Sequence, residues 1–397
     1  MKTDNTAQMR TDQVWLSTSD CNIEEFAALV ERSTNKADYP FAAEIAANIL
    51  VYDRADILKA AESTETRKAL LAEFVAAMTD GPGAVVMRGA FADTGVIDAA
   101  TEHFNAIIVE QHATGTGGGD HFAKPGANDR IWNALEKLCL RDPEVFAAYY
   151  GNELIALVSE AWLGPAYQIT SQVNCVNPGG AAQTAHRDYH LGFQSGAAVE
   201  RYPAHVHRLS PVLTLQGAVA HCDMPLESGP TLYLPYSQTY LVGYLATTKA
   251  EFKQYFVDHH VQLSLKKGDA VFLNPALFHA AGNNRSKDIR RMANLLQVSS
   301  AFGRAMESVD RARMSRTLYP VLGTMLRENR ISRGEAANAI AASAEGYSFP
   351  TNLDSDPPVG GLAPETQQAL FHRALAEDWA PAAFDAAVDA QTAKKLA

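Results

Sequence analysis

At 397 residues, with 47% hydrophobic and 20% charged side chains, the chain has an ordinary globular composition and room for one large domain or two to three smaller ones. Its net charge of −11, from 34 Lys and Arg against 45 Asp and Glu, excludes the basic footprint of a nucleic-acid binder. Cys21, Cys139, Cys175 and Cys222 show no Cys-x-x-Cys spacing, the first residues lack a signal-peptide apolar core, and no apolar run reaches about 18 residues, so a soluble, cytoplasmic protein with reduced thiols and no membrane partner is expected.

In chain order, Asn22-Ile-Glu-Glu25 has the form of a helix-capping box, and Ile23, Phe26, Ala27 and Val30 follow at helical spacing. A second amphipathic segment carries Leu71, Phe74, Val75 and Met78 and stops at Asp80-Gly-Pro-Gly83. Ala84 to Arg88 is expected as the first strand of the core and 96 to 109 as another helix. The glycine-rich stretch 112 to 132 is either a surface loop or a lid whose Asn128, Arg130 and Trp132 recognise a polar substrate. Gly117 to Gly119 are followed by no Lys-Ser or Lys-Thr, so no phosphate loop is present. Residues 144 to 163 are expected to be helical, closed by Gly164-Pro165. From 167 to 302 strand signals dominate, with a short helix near 249 to 257, and after Phe302 the helical pattern returns around a Pro/Gly-rich loop at 352 to 361. This segregation predicts an α+β protein with a mainly β core: a helical flank over 1–82, a core over 83–302, and a helical region over 303–397 packed on it.

Within the core, His186 and Asp188 stand two apart in Gln-Thr-Ala-His-Arg-Asp-Tyr-His (183 to 190), so on a strand their side chains share a face. A histidine and a carboxylate so placed supply two of the three ligands of a facial non-haem Fe(II) site, and His279 is well placed to be the third. His190 joins the same face if the strand continues, either lining a substrate pocket or as a hydrogen-bonded structural residue. His205-Val-His207 lacks the following glutamate of a cupin ligand set, and His259-His260 is expected to be solvated.

The order of features around these residues resembles the phytanoyl-CoA dioxygenase-like branch of the Fe(II)- and 2-oxoglutarate-dependent oxygenases, over about 160 to 302 and more weakly from about Leu70. The resemblance rests on His186-x-Asp188, Glu227-Ser-Gly-Pro-Thr231, Leu234-Pro-x-Ser237, Lys267-Gly-Asp269 and the run from His279 through Gly282, Asn284 and Ser286 to Arg290. It implies a double-stranded β-helix (jelly roll) with helical flanks, iron on His186, Asp188 and His279, O2 as oxidant, and 2-oxoglutarate with its distal carboxylate on Arg290. Arg291 would point to the opposite face of the strand, and the family spacing selects Arg290. Ala281 stands where many relatives have a hydroxyl residue that assists this carboxylate. Gln172 and Asn174, together on one face of a strand, either hydrogen-bond 2-oxoglutarate or face solvent.

The implied reaction is hydroxylation of an unactivated C–H bond with release of succinate and CO2; the polar candidates Asn128, Arg130 and His190 point to a small polar molecule as substrate, with an apolar acid left open. Related halogenases carry a small residue where this chain has Asp188, which favours hydroxylation. The acidic balance argues against a polyanionic substrate such as a coenzyme A thioester, so the family name does not carry over as the substrate. Two alternatives stay open: a Zn(II)-dependent hydrolase or isomerase on the same ligands, and a non-catalytic ligand-binding jelly roll. The carboxy-terminal helices are left with two roles, covering the site or forming a homo-oligomer.

Overall fold

The computed structural model describes residues 14–116 and 126–396. These fall into two compact units, one made of 14–90, 126–129 and 174–295, the other of 91–116, 130–173 and 296–396.

Eleven strands are present among the described residues: β1 (Glu44–Ala46), β2 (Ile49–Asp53), β3 (Ala84–Arg88), β4 (Asn128–Ile131), β5 (Gln168–Val176), β6 (Thr214–Ala220), β7 (Leu232–Leu234), β8 (Val261–Gln262), β9 (Ala270–Leu273), β10 (Phe278–Ala280) and β11 (Arg291–Ser299). The larger sheet has the order β1-β2-β3-β9-β6-β11-β5-β4 and the smaller β10-β7-β8. Ala84–Arg88 is thus the third strand, not the first. Ala47 and Asn48, both at positive φ, turn β1 back onto β2 in a hairpin whose turn carries no Gly.

In the first unit β2 runs parallel to β3, while β3–β9 and β9–β6 are antiparallel, with Val85 and Gly217 both opposite Phe272. Gly217 is required there, because a Cβ would sit 2.9 Å from the Phe272 ring. Ile49, Val51, Val86, Val271 and Leu273 of the larger sheet share one buried cluster with Tyr233 of the smaller and Leu277 just before β10, so the two sheets close on a common core. That α+β arrangement is the expected jelly roll. Outside the smaller sheet, the helix Ile23–Val30, capped by Asn22 on the N–H groups of Glu24 and Glu25, buries Phe26 against Phe278, Phe252 and Tyr240 at ring distances of 5.1, 5.1 and 5.3 Å. An N-terminal helix therefore buttresses the strand that holds His279.

The second unit is mainly helical. The expected single helix over 144 to 163 is two, Pro143–Tyr150 and Glu153–Leu163, because Asn152 starts a new N-cap on Leu154 and Ile155. After Phe302 the helices Arg311–Arg327, Arg333–Ser343, Gln367–Ala376 and Pro381–Ala393 follow, with Tyr319 stacked on Phe384 at 4.1 Å. No helix among the described residues is long and apolar enough to cross a membrane.

Candidate metal centre

The segment 183 to 188 is extended but not a ladder strand. It touches the chain around β10 at separate points, Gln183 N–H to Ala281 O, a two-way bridge between His186 and His279, and Asp188 N–H to Pro275 O, at 2.9 to 3.2 Å. The expected strand through 190 ends here, because Tyr189 and His190 both take positive φ and enter a 3-10 turn. His190 therefore does not extend the face of His186 and Asp188. It is half-buried, and burial pushes its imidazole below the ordinary value.

His186 and Asp188 nevertheless do share a face, since two extended residues separate their side chains by one full pleat. Their ligand atoms and that of His279 all lie within 4.8 Å of one another. His279 Nε2 is 3.3 Å from Asp188 Oδ2 and His186 Nε2 is 3.6 Å from Asp188 Oδ1. Each imidazole donates its Nδ1–H to a backbone carbonyl two residues earlier, Thr184 and Leu277, both at 2.8 Å. That choice of tautomer leaves both Nε2 lone pairs directed at the carboxylate, ready for a cation. Burial alone would raise the Asp188 carboxyl, yet His186, His279 and a hydrogen bond from Gln216 hold it well below the carboxylate range. Burial would lower the His279 imidazole, yet Asp188 in turn raises it, so the two histidines share their Nε2 protons with the carboxylate until a cation displaces them. An ionised carboxylate with two imidazoles is the donor set that suits Fe(II).

The two arginines divide differently from the family spacing. Arg290, just before β11, is half exposed, 3.4 Å from Asp129 Oδ2 and 3.4 Å from Asn177 Oδ1. Arg291 opens β11, is 7% exposed, and its Nη1 has no hydrogen-bond partner. Burial pulls its guanidinium down to about 10, and the buried Tyr233, hydrogen-bonded to Thr231, lies within its electrostatic reach. Tyr233 is the cross-strand partner of His279 in the β7–β10 ladder. An uncompensated buried guanidinium costs several kcal/mol unless an anion arrives.

Gln172 and Asn174 are buried on β5, which rules out the solvent-facing alternative. Both pair with residues expected on a lid: Asn128 Nδ2 donates to Asn174 Oδ1 at 2.9 Å, and Arg130 donates to Gln172 Oε1 while stacking on Trp132 at 5.0 Å. Asn128 and Arg130 lie on β4, not on a loop, because these cross-strand amide and guanidinium pairs supply the ladder's side-chain contacts. The glycine-rich part of the proposed lid, 117–125, lies outside the described residues. Gln216, Arg187 and Tyr233 went unnoticed in the sequence, since each is an unremarkable residue whose partner lies far away in the chain.

A family model described as phytanoyl-CoA dioxygenase (PhyH) matches residues 65–292. Dioxygenase trt7 of Aspergillus terreus (strain NIH 2624 / FGSC A1156) is 28% identical over 148 residues, 37% of this chain and 42% of that protein, so the match spans less than half the relative's length. Among solved structures, the non-heme alpha ketoglutarate dependent epimerase SnoN from nogalamycin biosynthesis is 18% identical with a TM-score of 0.43, covering 60% of this chain and 85% of its own. The carbocyclase SnoK from the same biosynthesis is 19% identical with a TM-score of 0.39, covering 59% and 86%.

Proposed function

The chain belongs to the phytanoyl-CoA dioxygenase family, and from that premise we propose that it is an Fe(II)- and 2-oxoglutarate-dependent dioxygenase that hydroxylates an unactivated C–H bond of a small, polar molecule. The observation that carries this reading is the convergence of His186, Asp188 and His279 with both imidazoles fixed as Nδ1–H tautomers. Iron held there would use O2 as the oxidant, one oxygen atom going to the substrate as hydroxyl and the other into succinate as 2-oxoglutarate loses CO2.

The chain's own groups position and exclude water. Arg291 takes the distal carboxylate of 2-oxoglutarate through its planar fork, in place of Arg290. What supports the exchange is burial without a counter-charge for Arg291, against exposure and an Asp129 partner for Arg290. Tyr233 and Thr231 offer the hydroxyls that Ala281 does not. Gln172, held by Arg130 and by Gln297 at 3.3 Å, orients Arg130, and Asn174 with Asn128 forms a second amide pair. His190, half-buried beyond the ligand segment, is proposed to read a polar substrate.

The test is succinate release from 2-oxoglutarate by purified protein with Fe(II), ascorbate and a metabolite panel, with His186→Ala as the blank. Succinate above that blank is expected. A wild-type protein that never exceeds it, while turning over a substrate with Zn(II), would overturn the oxygenase reading.

A further inference from the structure

The residue between the two ligands is placed to act on both. Arg187 points away from the metal face and is 3% exposed, yet among the described residues it is hydrogen-bonded to carbonyls and to no carboxylate. Its Nη2 donates to the carbonyls of Ser237 at 2.6 Å and Tyr240 at 2.9 Å, and its guanidinium lies over the rings of Tyr244 and Phe278 at 5.0 and 5.2 Å. Ser237 in turn accepts the Phe278 N–H on its Oγ at 2.8 Å, one residue before His279, and donates to Leu234 O at 2.6 Å. A single residue thus meets both ligand-bearing segments, Ser237 O on the side of His186 and Asp188, Ser237 Oγ on the side of His279.

Burying a cation without a counter-ion is costly, so its retention needs a return. The segment 183–188 has no continuous ladder to hold it, and its backbone meets the chain around β10 at three separate points. We propose that Arg187 is a positioning residue which, through Ser237, locks the spacing of His186 and Asp188 against His279 so that the three donors are preset for the metal. The Leu234-Pro-x-Ser237 motif then has a physical role, and so does Gly243, where a Cβ would fall 1.9 Å from Arg187 Cζ. Lysine cannot substitute, because one ammonium cannot both serve two carbonyls in a plane and lie flat between two rings.

This inference rests on the metal reading of the site, and the experiment separates the two. Co(II) is titrated into metal-free protein by calorimetry and by its visible absorption, using wild type, His186→Ala, Arg187→Met, Arg187→Lys, Gly243→Ala and the Arg187→Met/Gly243→Ala double variant. Binding by wild type and its loss in His186→Ala establishes the metal reading on its own. Loss of residues that orient ligands from behind costs about 10–100-fold in metal affinity, and that drop with an altered Co(II) spectrum is expected for Arg187→Met, with no rescue by Arg187→Lys. Gly243→Ala, which leaves the ligand segment untouched, should reproduce the drop, and the double variant should be no worse than Arg187→Met. Wild-type affinity and spectrum in Arg187→Met and Gly243→Ala, whatever their melting temperature, overturns the proposal. So does an Arg187→Lys variant that binds like wild type.

Discussion

Arg290 and Arg291 are neighbours in the chain with opposite surroundings: Arg290 is half exposed with Asp129 at 3.4 Å, and Arg291 is 7% exposed with an unpartnered Nη1. The alternation of side chains at the start of β11 enforces the division, since only one of two successive residues can face the core. A guanidinium in water loses little when it is removed. One kept dry in wait for a carboxylate is worth much more once the carboxylate is bound.

Arg291→Gln should accordingly raise the KM for 2-oxoglutarate far more than Arg290→Gln. Truncating one partner of a buried, hydrogen-bonded charge pair costs about 2–5 kcal/mol, and every 1.4 kcal/mol is about tenfold, so an increase on the order of 30-fold or more is expected. Arg290→Gln, which breaks an exposed pair worth about 0–1 kcal/mol, should stay within a few-fold. Succinate formation against 2-oxoglutarate concentration measures both, and the reverse ranking would return the anchor to Arg290.

Gln216 on β6 donates its amide to Asp188 Oδ2 and so fixes which carboxylate oxygen is free for the cation. Gln216→Leu keeps the side chain's bulk and removes the donor. Metal affinity should fall about 10-fold or more, by the usual cost of removing a ligand's hydrogen-bond partner, with the melting temperature of the metal-free protein little changed. Mn(II) titration followed by electron paramagnetic resonance gives the affinity directly.

Much of this site was legible in the sequence because metal chemistry restricts its ligands to few residue types: His186, Asp188 and His279 were named from type and spacing alone, and they converge. The supporting strand was not. The shared face of His186 and Asp188 is read on a strand, with His190 joining if that strand continues, and the backbone turns at Tyr189 and His190 end it. The choice between Arg290 and Arg291 meets a related limit: on a strand one residue inverts the facing side, and the burial that separates the two is not written in their spacing. Asn128 and Arg130 were misread as loop residues since the glycines before them masked a four-residue strand whose partners, Asn174 and Gln172, are distant in sequence. The hairpin β1–β2 went unread because its turn uses Ala47-Asn48.

Metal removal should show in stability as well as in turnover. A cation that binds only the folded protein adds RT ln(1 + [L]/Kd), about 2.7 kcal/mol at a hundredfold excess over Kd. Fe(II) under anaerobic conditions, or Mn(II), should therefore raise the melting temperature of chelator-treated wild type by several degrees, and scanning calorimetry reads the shift. The rise should vanish in Asp188→Ala. An equal rise in that variant would mean that the ion binds elsewhere.

Away from the metal, Glu73 predicts a pH dependence of folding. It is 7% exposed on the helix Thr64–Thr79, where Oε1 accepts the Tyr52 hydroxyl at 2.9 Å and Oε2 the Phe41 N–H at 3.1 Å. Burial raises its carboxyl above the ordinary value, and these two hydrogen bonds only partly oppose the shift. The folded protein then holds the proton at pH values where the unfolded chain, with Glu near about 4.3, has released it. Its contribution to stability is fully present below that unfolded value and is lost as pH rises through the folded pKa. Glu73→Gln is neutral throughout and loses this term, although it disturbs the Phe41 contact by a constant amount. Urea unfolding of both proteins from about pH 4.5 to about pH 7.5, spanning the Glu range, should show the stability of wild type relative to Glu73→Gln falling as pH rises. A difference that stays flat would show that Glu73 titrates in the folded protein as it does in the unfolded chain, and one in which wild type gains with pH would show a lowered carboxyl; either overturns the prediction.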